Sequence, residues 1–345
     1  MSDDAKAPLL VVDGLTTVFP TERGALTAVD GVSFALAEGE VLGIVGESGS
    51  GKTATIRSVI GLVPQPGRVS AGSVRFRGRE LVGDERQTRQ LRGREIAMVF
   101  QDPGTALNPV QRVGTQLTEM LEAHGIAKGR RARDRAVELL RTVGIPAPEQ
   151  RARDYPHQMS GGMAQRVVIA IAIAANPSLL LADEPTTALD VTVQDQILSL
   201  LLRLQQERGM SVILVTHNLG VVAETCDRVG VMYAGQLVEL APTAELLREP
   251  LHPYTLGLLS CVPRVETKAS ELRSIPGGVA DLLNPPSGCR FHPRCPFATE
   301  ECRIGPTPLR EVAPGRWTSC LHHQGLARPV GAPERGEPVP AGTPT

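Results

Sequence analysis

The sequence predicts an α/β protein: a mostly parallel sheet covered on both faces, followed by a small Cys/Pro-rich C-terminal region. Three observations carry this. Short apolar runs of strand length alternate with longer stretches of helical periodicity, as a parallel sheet flanked by helices requires. Hydrophobic residues make up 41% of the chain but aromatics only 3%, so the core is built of Val, Leu, Ile and Ala. After about residue 248 prolines and cysteines rise and the long periodic segments stop.

In chain order, residues 9 to about 45 alternate as strands do, with Val32, Phe34 and Leu36 on one face. Glu38, Gly39 and Glu40 supply a turn, and the apolar strand VLGIV follows at 41–45. A glycine-rich loop and a helical pattern come directly after it. Arginine-rich, helix-favouring sequence occupies roughly 110–175, broken by Gly and Pro at 144–148. The strand LLLAD at 179–183 is followed by a helix with Val193, Ile197, Leu200 and Leu204 on one stripe, and the strand VILVTH at 212–217 closes the unit. From residue 328 the Pro/Gly-rich tail is expected to be disordered. No internal repeat is visible.

The totals bound the function. At 345 residues there is room for two domains with sizeable cores. The 36 basic and 37 acidic residues leave a formal charge of −1 and no global argument for nucleic-acid binding. The opening MSDDAKAPLLVVDG is acidic with only a short apolar run, unlike a signal peptide. The longest apolar run, VVIAIAIAA at 167–175, is about half the ~18–20 residues of a membrane span. A soluble, cytoplasmic chain without a transmembrane segment is expected, and there structural disulfides are rare.

GESGSGKT at 46–53 is a complete Gly-x-x-x-x-Gly-Lys-Thr loop between a strand and a helix. Gly46, Gly49 and Gly51 let the backbone wrap phosphates, so that the amides of Ser48, Ser50 and their neighbours face negative charge. Lys52 is expected to bridge β- and γ-phosphates and Thr53 to ligate Mg²⁺. LLLADEP at 179–185 adds Asp183 at a strand end, able to hold Mg²⁺ through water, and Glu184, able to orient or deprotonate the attacking water. Adjacent carboxylates at a strand end are often merely solvated; paired with the loop they indicate nucleotide hydrolysis.

YPHQMSGGMAQR at 155–166 places Ser160, Gly161 and Gly162 ahead of a helix, making a second anion-binding N-terminus. One nucleotide does not need two such sites from one chain. Two chains facing head to tail would need both.

These motifs resemble the ATP-binding-cassette (ABC) ATPases: the loop at 46–53, Gln101, SGG at 160–162, DE at 183–184, ALD at 188–190 and His217 stand in that family's order over about residues 8–248. The resemblance implies an antiparallel β subdomain and a helical subdomain at about 102–175 around the P-loop core. It also implies roles. Gln101 would touch Mg²⁺ and the water and sense a membrane partner, and Ser160, Gly161 and Gly162 would contact the γ-phosphate of the partner's ATP. Asp190 would communicate across the dimer, His217 would hold the γ-phosphate, and Phe19 would stack on adenine. Met163, where the signature often has Gln, and Asn218, where Asp is common, depart from the pattern without removing a catalytic group.

EPLHPYTLGLL at 249–259 and SIPGGVADLLNPPSGCRFHPRC at 274–295 extend the resemblance to the ATPases of dipeptide and oligopeptide importers, a group that includes nickel importers. It implies a cassette domain at 1–248 and an importer-type C-terminal domain at 249–327. Its partners would be a second ABC ATPase in a heterodimer, two transmembrane permeases and an extracytoplasmic solute-binding protein. The chain would sit peripherally on the cytoplasmic face of the inner membrane. A soluble cassette ATPase acting on DNA or ribosomes is the rival, but such proteins usually carry two cassettes or a long coiled coil, and no sustained heptads lie between Gln101 and Ser160.

Cys289, Cys295, Cys302 and Cys320 are spaced C-x5-C-x6-C-x17-C, neither a short zinc ribbon nor a ferredoxin run. Spacing alone leaves zinc, a cluster and unligated packing open. The importer resemblance implies a [4Fe–4S] cluster, with Zn²⁺ the alternative, stapling a segment that lacks core of its own. Arg290, Arg294 and Arg303 could offset the charge of the cluster, and His292, His322 and His323 are substitute ligands. Cys226 and Cys261 are expected to be packing residues, and Arg130 to Arg133 a solvated helical face.

Overall fold

β1 (Leu10–Thr21) and β2 (Gly24–Leu36) form an antiparallel pair in a computed structural model that describes residues 7–187, 189–261 and 275–326. The expected tail and Ala188 of the ALD tripeptide lie outside the described residues. Val32, Phe34 and Leu36 are buried while their neighbours are not, the alternation of a sheet with one covered face. β3 (Val41–Val45) is buried at all five positions, which is why VLGIV shows no alternation. After α1 (Lys52–Val59), β4 (Arg68–Phe76) and β5 (Arg79–Glu80) complete a four-stranded sheet in the order β2-β1-β4-β5.

α2 (Glu85–Leu91) leads to β6 (Ile96–Val99). The helical stretch then comprises α3 (Pro103–Ala106), α4 (Val113–Ala123), α5 (Gly129–Thr142), α6 (Pro148–Arg151) and α7 (Gly161–Ala172). Its α5–α6 break, with Gly144 at φ +75° and Pro148 opening α6, falls where the Gly/Pro interruption predicts it. Ala132, Ala136, Leu139 and Leu140 bury one face of α5, and Arg130, Arg131 and Arg133 are exposed on the other. Among the described residues no helix is long and apolar enough to cross a membrane.

β7 (Leu179–Asp183), α8 (Val191–Arg208), β8 (Ser211–Thr216), α9 (Leu219–Thr225) and β9 (Arg228–Tyr233) give the parallel part of the main sheet, in the order β9-β3-β8-β7-β6. Successive residues point to opposite faces. Leu179 and Leu181 pack with Ile56 and the antiparallel sheet, whereas Leu180 and Ala182 pack with Leu117, Val168 and Leu201 of the helices. The sheet thus has two cores, one for each face.

β10 (Gln236–Pro242) returns antiparallel to β9 through a two-residue turn. Ala234 at φ +46° and Gly235 at φ +85° both take left-handed backbone, matching the twist of a tight hairpin. Beyond α10 (Thr243–Arg248) and α11 (Pro253–Ser260), β11 (Arg310–Ala313) and β12 (Arg316–Thr318) pair with each other. β12 also pairs with β10, so the C-terminal segment extends the main sheet. Tyr254 and Phe291 join its core, with ring centroids 4.6 and 5.2 Å from Tyr233.

Glu239 on β10 is fully buried and accepts the N–H groups of Leu251 at 2.8 Å and His252 at 2.9 Å. Burial nevertheless pushes its carboxyl up to about 7, and burial pushes the neighbouring His252 down to about 3. Between the ordinary carboxyl value and about 7, the folded state holds a proton on Glu239 that the unfolded state releases, so this group loses stability as pH rises. His252 works in the opposite direction, gaining stability as pH rises from about 3 to its ordinary value, and the two offset each other where the windows overlap. Glu239→Gln should uncover the histidine. Relative to the parent, its unfolding free energy should rise by about 1.4 kcal/mol per pH unit between pH 5 and 7, measured in denaturant melts. A pH-independent difference would show that Glu239 is ionised throughout.

Candidate nucleotide-binding and catalytic site

The loop after β3 is pressed against the backbone of β9 and β2, and glycine is required there. A Cβ on Gly46, at φ +155°, would lie 2.2 Å from the Met232 carbonyl oxygen. One on Gly51, at φ +101°, would lie 2.3 Å from that of Ala28. Gly51 is the N-cap of α1, and the unpaired amides of that helix's first turn open toward the cleft. Lys52 follows, 5% exposed, its Nζ donating to the carbonyls of Gly46 at 2.8 Å and Glu47 at 3.0 Å. Burial lowers its pKa most, against the raising influence of Glu184, Asp183 and Glu47.

Asp183 ends β7 beneath this loop. Thr53 Oγ1 donates to its Oδ1 at 2.8 Å, while its Oδ2 is buried with no hydrogen-bond partner among the described residues and the Arg57 guanidinium stands off at 3.9 Å. Burial raises the Asp183 pKa, offset in part by Thr53 and Arg57. An orphaned buried carboxylate oxygen beside a threonine hydroxyl suits a hard cation held through water. Mg²⁺ usually keeps several waters and takes only one or two protein carboxylates, so the residues present fit it.

Glu184 sits at φ +44°, a left-handed backbone uncommon outside glycine, held by its N–H donating to the Val215 carbonyl at 2.9 Å. Its Oε2 gathers three groups: Thr187 Oγ1 at 2.8 Å, His217 Nδ1 at 3.2 Å and Gln101 Nε2 at 3.4 Å. Two segments far apart in sequence, at Gln101 and His217, therefore reach the same carboxylate oxygen.

A cleft of about 690 Å³ is lined by Ser48, Gly49, Ser50, Gly51, Lys52 and Thr53 on one side and by Gln101, Glu184 and His217 on another. Phe19 and Pro64 form an apolar end. Arg57 also lines it and escaped the sequence reading, although its place one turn beyond Thr53 on α1 was the available signal. Thr187, three residues after Glu184, was missed in the same way.

The signature residues do not enter this cleft. Ser160 is the N-cap of α7, its Oγ accepting the Met163 N–H at 3.3 Å, and Ser160 and Gly161 are exposed. A Cβ on Gly162 would meet Val193 Cγ1 at 2.6 Å, so glycine there lets α7 approach α8. Asp190 is the N-cap of α8, accepting the Val193 N–H at 2.9 Å. In a single chain, then, these residues cap and pack helices.

Cys289, Cys295, Cys302 and Cys320 line one small cavity, together with His252, His292 and His322. All four are free thiols. Burial pushes Cys289 up to about 11 and Cys320 up to about 12, and raises Cys295. Among the described residues no three His, Cys, Asp or Glu side chains are grouped so as to hold a metal ion. The cysteines converge, but their approach falls short of a formed metal site. Arg290 and Arg294 are engaged elsewhere, with Asp30 and Glu47 rather than with the thiols. Cys226 is a buried packing residue against β3, its Sγ 2.9 Å from where a Cβ on Gly43 would lie.

Residues 29–187 match the family described as ABC transporter, and residues 238–302 match the oligopeptide/dipeptide transporter C-terminal region. The chain is 51% identical over 315 residues to a protein of Brucella abortus (strain 2308) named "Putative peptide import ATP-binding protein", covering 91% of this chain and 95% of that protein. It is also 51% identical over 321 residues to the dipeptide transport ATP-binding protein DppD of Haemophilus influenzae, covering 92% and 97%. Among solved structures it resembles the dimeric post-hydrolysis state of the cassette MJ0796 bound to ADP and Pi. The TM-score there is 0.61 at 29% identity, covering 68% of this chain and 98% of that one.

Proposed function

Because the chain belongs to the ATP-binding proteins of ABC transporters, we propose that it is the ATP-hydrolysing motor subunit of a peptide importer. The observation that carries this is the meeting of Lys52, Thr53, Gln101, Glu184 and His217 on one cleft above Asp183. The relatives named for peptide import support peptide as cargo, and none of the features described favours nickel.

Lys52 and the loop amides hold the β- and γ-phosphates, and Phe19 packs against the adenine. Mg²⁺, when bound, neutralises charge on the phosphate oxygens; the Thr53 hydroxyl, Asp183 and Gln101 are the residues to hold it. Glu184 orients a water and takes its proton as the water oxygen bonds to the γ-phosphorus. The bond from that phosphorus to the β,γ-bridging oxygen breaks, leaving ADP and phosphate. His217 steadies the Glu184 carboxylate and faces the γ-phosphate.

Ser160, Gly161, Gly162 and Asp190 complete the nucleotide site of a second cassette, in a head-to-tail pair with a related chain. The exposure of Ser160, Gly161 and Asp190, and the place of all four outside this chain's own cleft, support that role. Residues 1–248 form the cassette, with 102–175 its helical subdomain transmitting motion to two permeases, and 249–327 form the importer-type region. A solute-binding protein outside the membrane supplies the peptide, and the chain sits peripherally on the cytoplasmic face. The four thiols would hold a [4Fe–4S] cluster, with Zn²⁺ as the alternative. Their convergence on one cavity supports this, since a metal centre offsets the cost of burying thiolates.

One preparation tests both halves. Reconstituted with its permeases, the protein should hydrolyse ATP faster when a peptide-loaded binding protein is added; stimulation by nickel instead of peptide overturns the cargo reading. Purified anaerobically, it should carry iron and acid-labile sulfide with visible absorption, and a colourless zinc protein rejects the cluster.

A further inference from the structure

Glu47, the second residue of the phosphate loop, is held from three sides. Its carboxylate lies in the fork of Arg294, with Nη1 donating to Oε2 at 2.7 Å and Nη2 to Oε1 at 3.1 Å. Its N–H donates to the Tyr254 hydroxyl at 2.8 Å. Its carbonyl accepts from Lys52 Nζ at 3.0 Å and from the Ser50 N–H at 3.2 Å. The carboxylate is thereby turned toward the C-terminal segment, and Glu47 is not among the residues lining the cleft.

The holding groups are themselves fixed. The Arg294 side chain is 5% exposed, donates to the carbonyls of Pro276 and Ile275, and lies 5.8 and 5.9 Å from the ring centroids of Tyr233 and Phe291. Tyr254 is fully buried against those same two rings. A bidentate guanidinium–carboxylate pair sets direction as well as energy, and its guanidinium side is enclosed.

A second arm reaches the same loop. Arg290 donates to the Ala234 carbonyl at the tip of the β9–β10 hairpin and to Asp30. Gly235, beside Ala234, donates its N–H to the Ser50 carbonyl at 2.9 Å. Arg290 follows Cys289 and Arg294 precedes Cys295. The cysteine-bearing segment is thus tied to the phosphate loop at two points.

We propose that Arg294 and Tyr254 are positioning residues of the nucleotide site, holding Glu47 so that the loop amides and Lys52 are set before nucleotide arrives. This rests on the reading of the cleft as an ATP site. The physical reason is the cost of ordering the loop. Glycines at 46, 49 and 51 lose more backbone freedom than other residues when fixed. A loop ordered beforehand by contacts away from the ligand does not charge that entropy to binding. Positioning of this kind acts on nucleotide affinity. It leaves Glu184 and its partners untouched, so turnover at saturation should hold.

The test uses the full chain for equilibrium binding of a fluorescent ATP analogue with Mg²⁺, and the assembled transporter for KM and kcat. Tyr254→Phe removes one hydroxyl, Glu47→Gln removes the charge from the fork, and Arg294→Met removes the fork itself. Each should weaken analogue binding and raise the KM for ATP by about 10-fold, with kcat kept within about twofold. The Glu47→Gln, Arg294→Met double variant should be no weaker than the worse single one, because both break the same pair. Arg294→Lys should restore part of the affinity. Unchanged binding in Tyr254→Phe and Glu47→Gln, additive losses in the double variant, or a fall in kcat alone would each overturn the proposal. Those first two variants decide the matter even where Arg294→Met fails to fold. Absence of binding by the parent protein would instead sink the ATP site itself.

Discussion

Glu184→Gln is expected to lower steady-state ATP hydrolysis by about 10²- to 10⁴-fold, the usual contribution of a general base, while MgATP still binds. The substitution keeps the size and planarity of the side chain. Its oxygen can still accept from Thr187, and glutamine meets the same backbone demand at φ +44° that glutamate does. What disappears is the group proposed to take the proton of the attacking water. The proposed binding contacts use other atoms: the loop amides, Lys52, Thr53 and Asp183. The variant also removes a negative charge from a cleft that must receive the γ-phosphate, so affinity should hold or rise. Hydrolysis is read as phosphate release in the assembled transporter, and binding by a fluorescent analogue. Turnover within tenfold of the parent would move the base elsewhere, with His217 the next group in reach of the same position.

How much of this was legible beforehand depended on how far apart the cooperating residues lie. The phosphate loop and the Asp183–Glu184 pair could be read directly, because their chemistry needs adjacent residues at a strand end. Gln101 and His217 were placed by family resemblance, and the structure adds that both turn to one oxygen of Glu184. Nothing local in the sequence marks that convergence, which the parallel register of β6, β7 and β8 creates. The C-terminal segment was the least legible part. Its short irregular stretches read as a unit without core of its own, yet β12 pairs with β10, and Tyr254 and Phe291 sit in the main core. Arg290 and Arg294 read as compensation for thiolates. Their partners, Asp30 and Glu47, lie 260 and 247 residues away, a separation no periodicity reports. Ser160 and Asp190 show the converse limit. Sequence order points to a shared nucleotide, while one chain shows two helix caps, since the proposed role needs a second chain.

Lys52→Met should abolish nucleotide binding at ordinary concentrations, weakening it by on the order of 10²-fold or more. Two effects act in the same direction. The variant loses the proposed charge-assisted bonds to two phosphates, each about twice as strong as a neutral hydrogen bond. It also leaves the cleft electrostatically unbalanced. Lys52 and Arg57 face Asp183 and Glu184, and Glu47 is already paired with Arg294. Without the lysine, two carboxylates and one arginine meet a polyphosphate, and burial strengthens the repulsion. Methionine keeps the length of the stem, so loss of packing does not explain the result. Asp183→Asn provides the contrast, because it should leave binding without Mg²⁺ intact and remove the gain that Mg²⁺ brings. The two variants therefore separate the phosphate contact from the cation contact in a single titration with and without Mg²⁺. Equal behaviour of both variants under the two conditions would show that Lys52 and Asp183 serve one function, and the assignment of separate roles would fall.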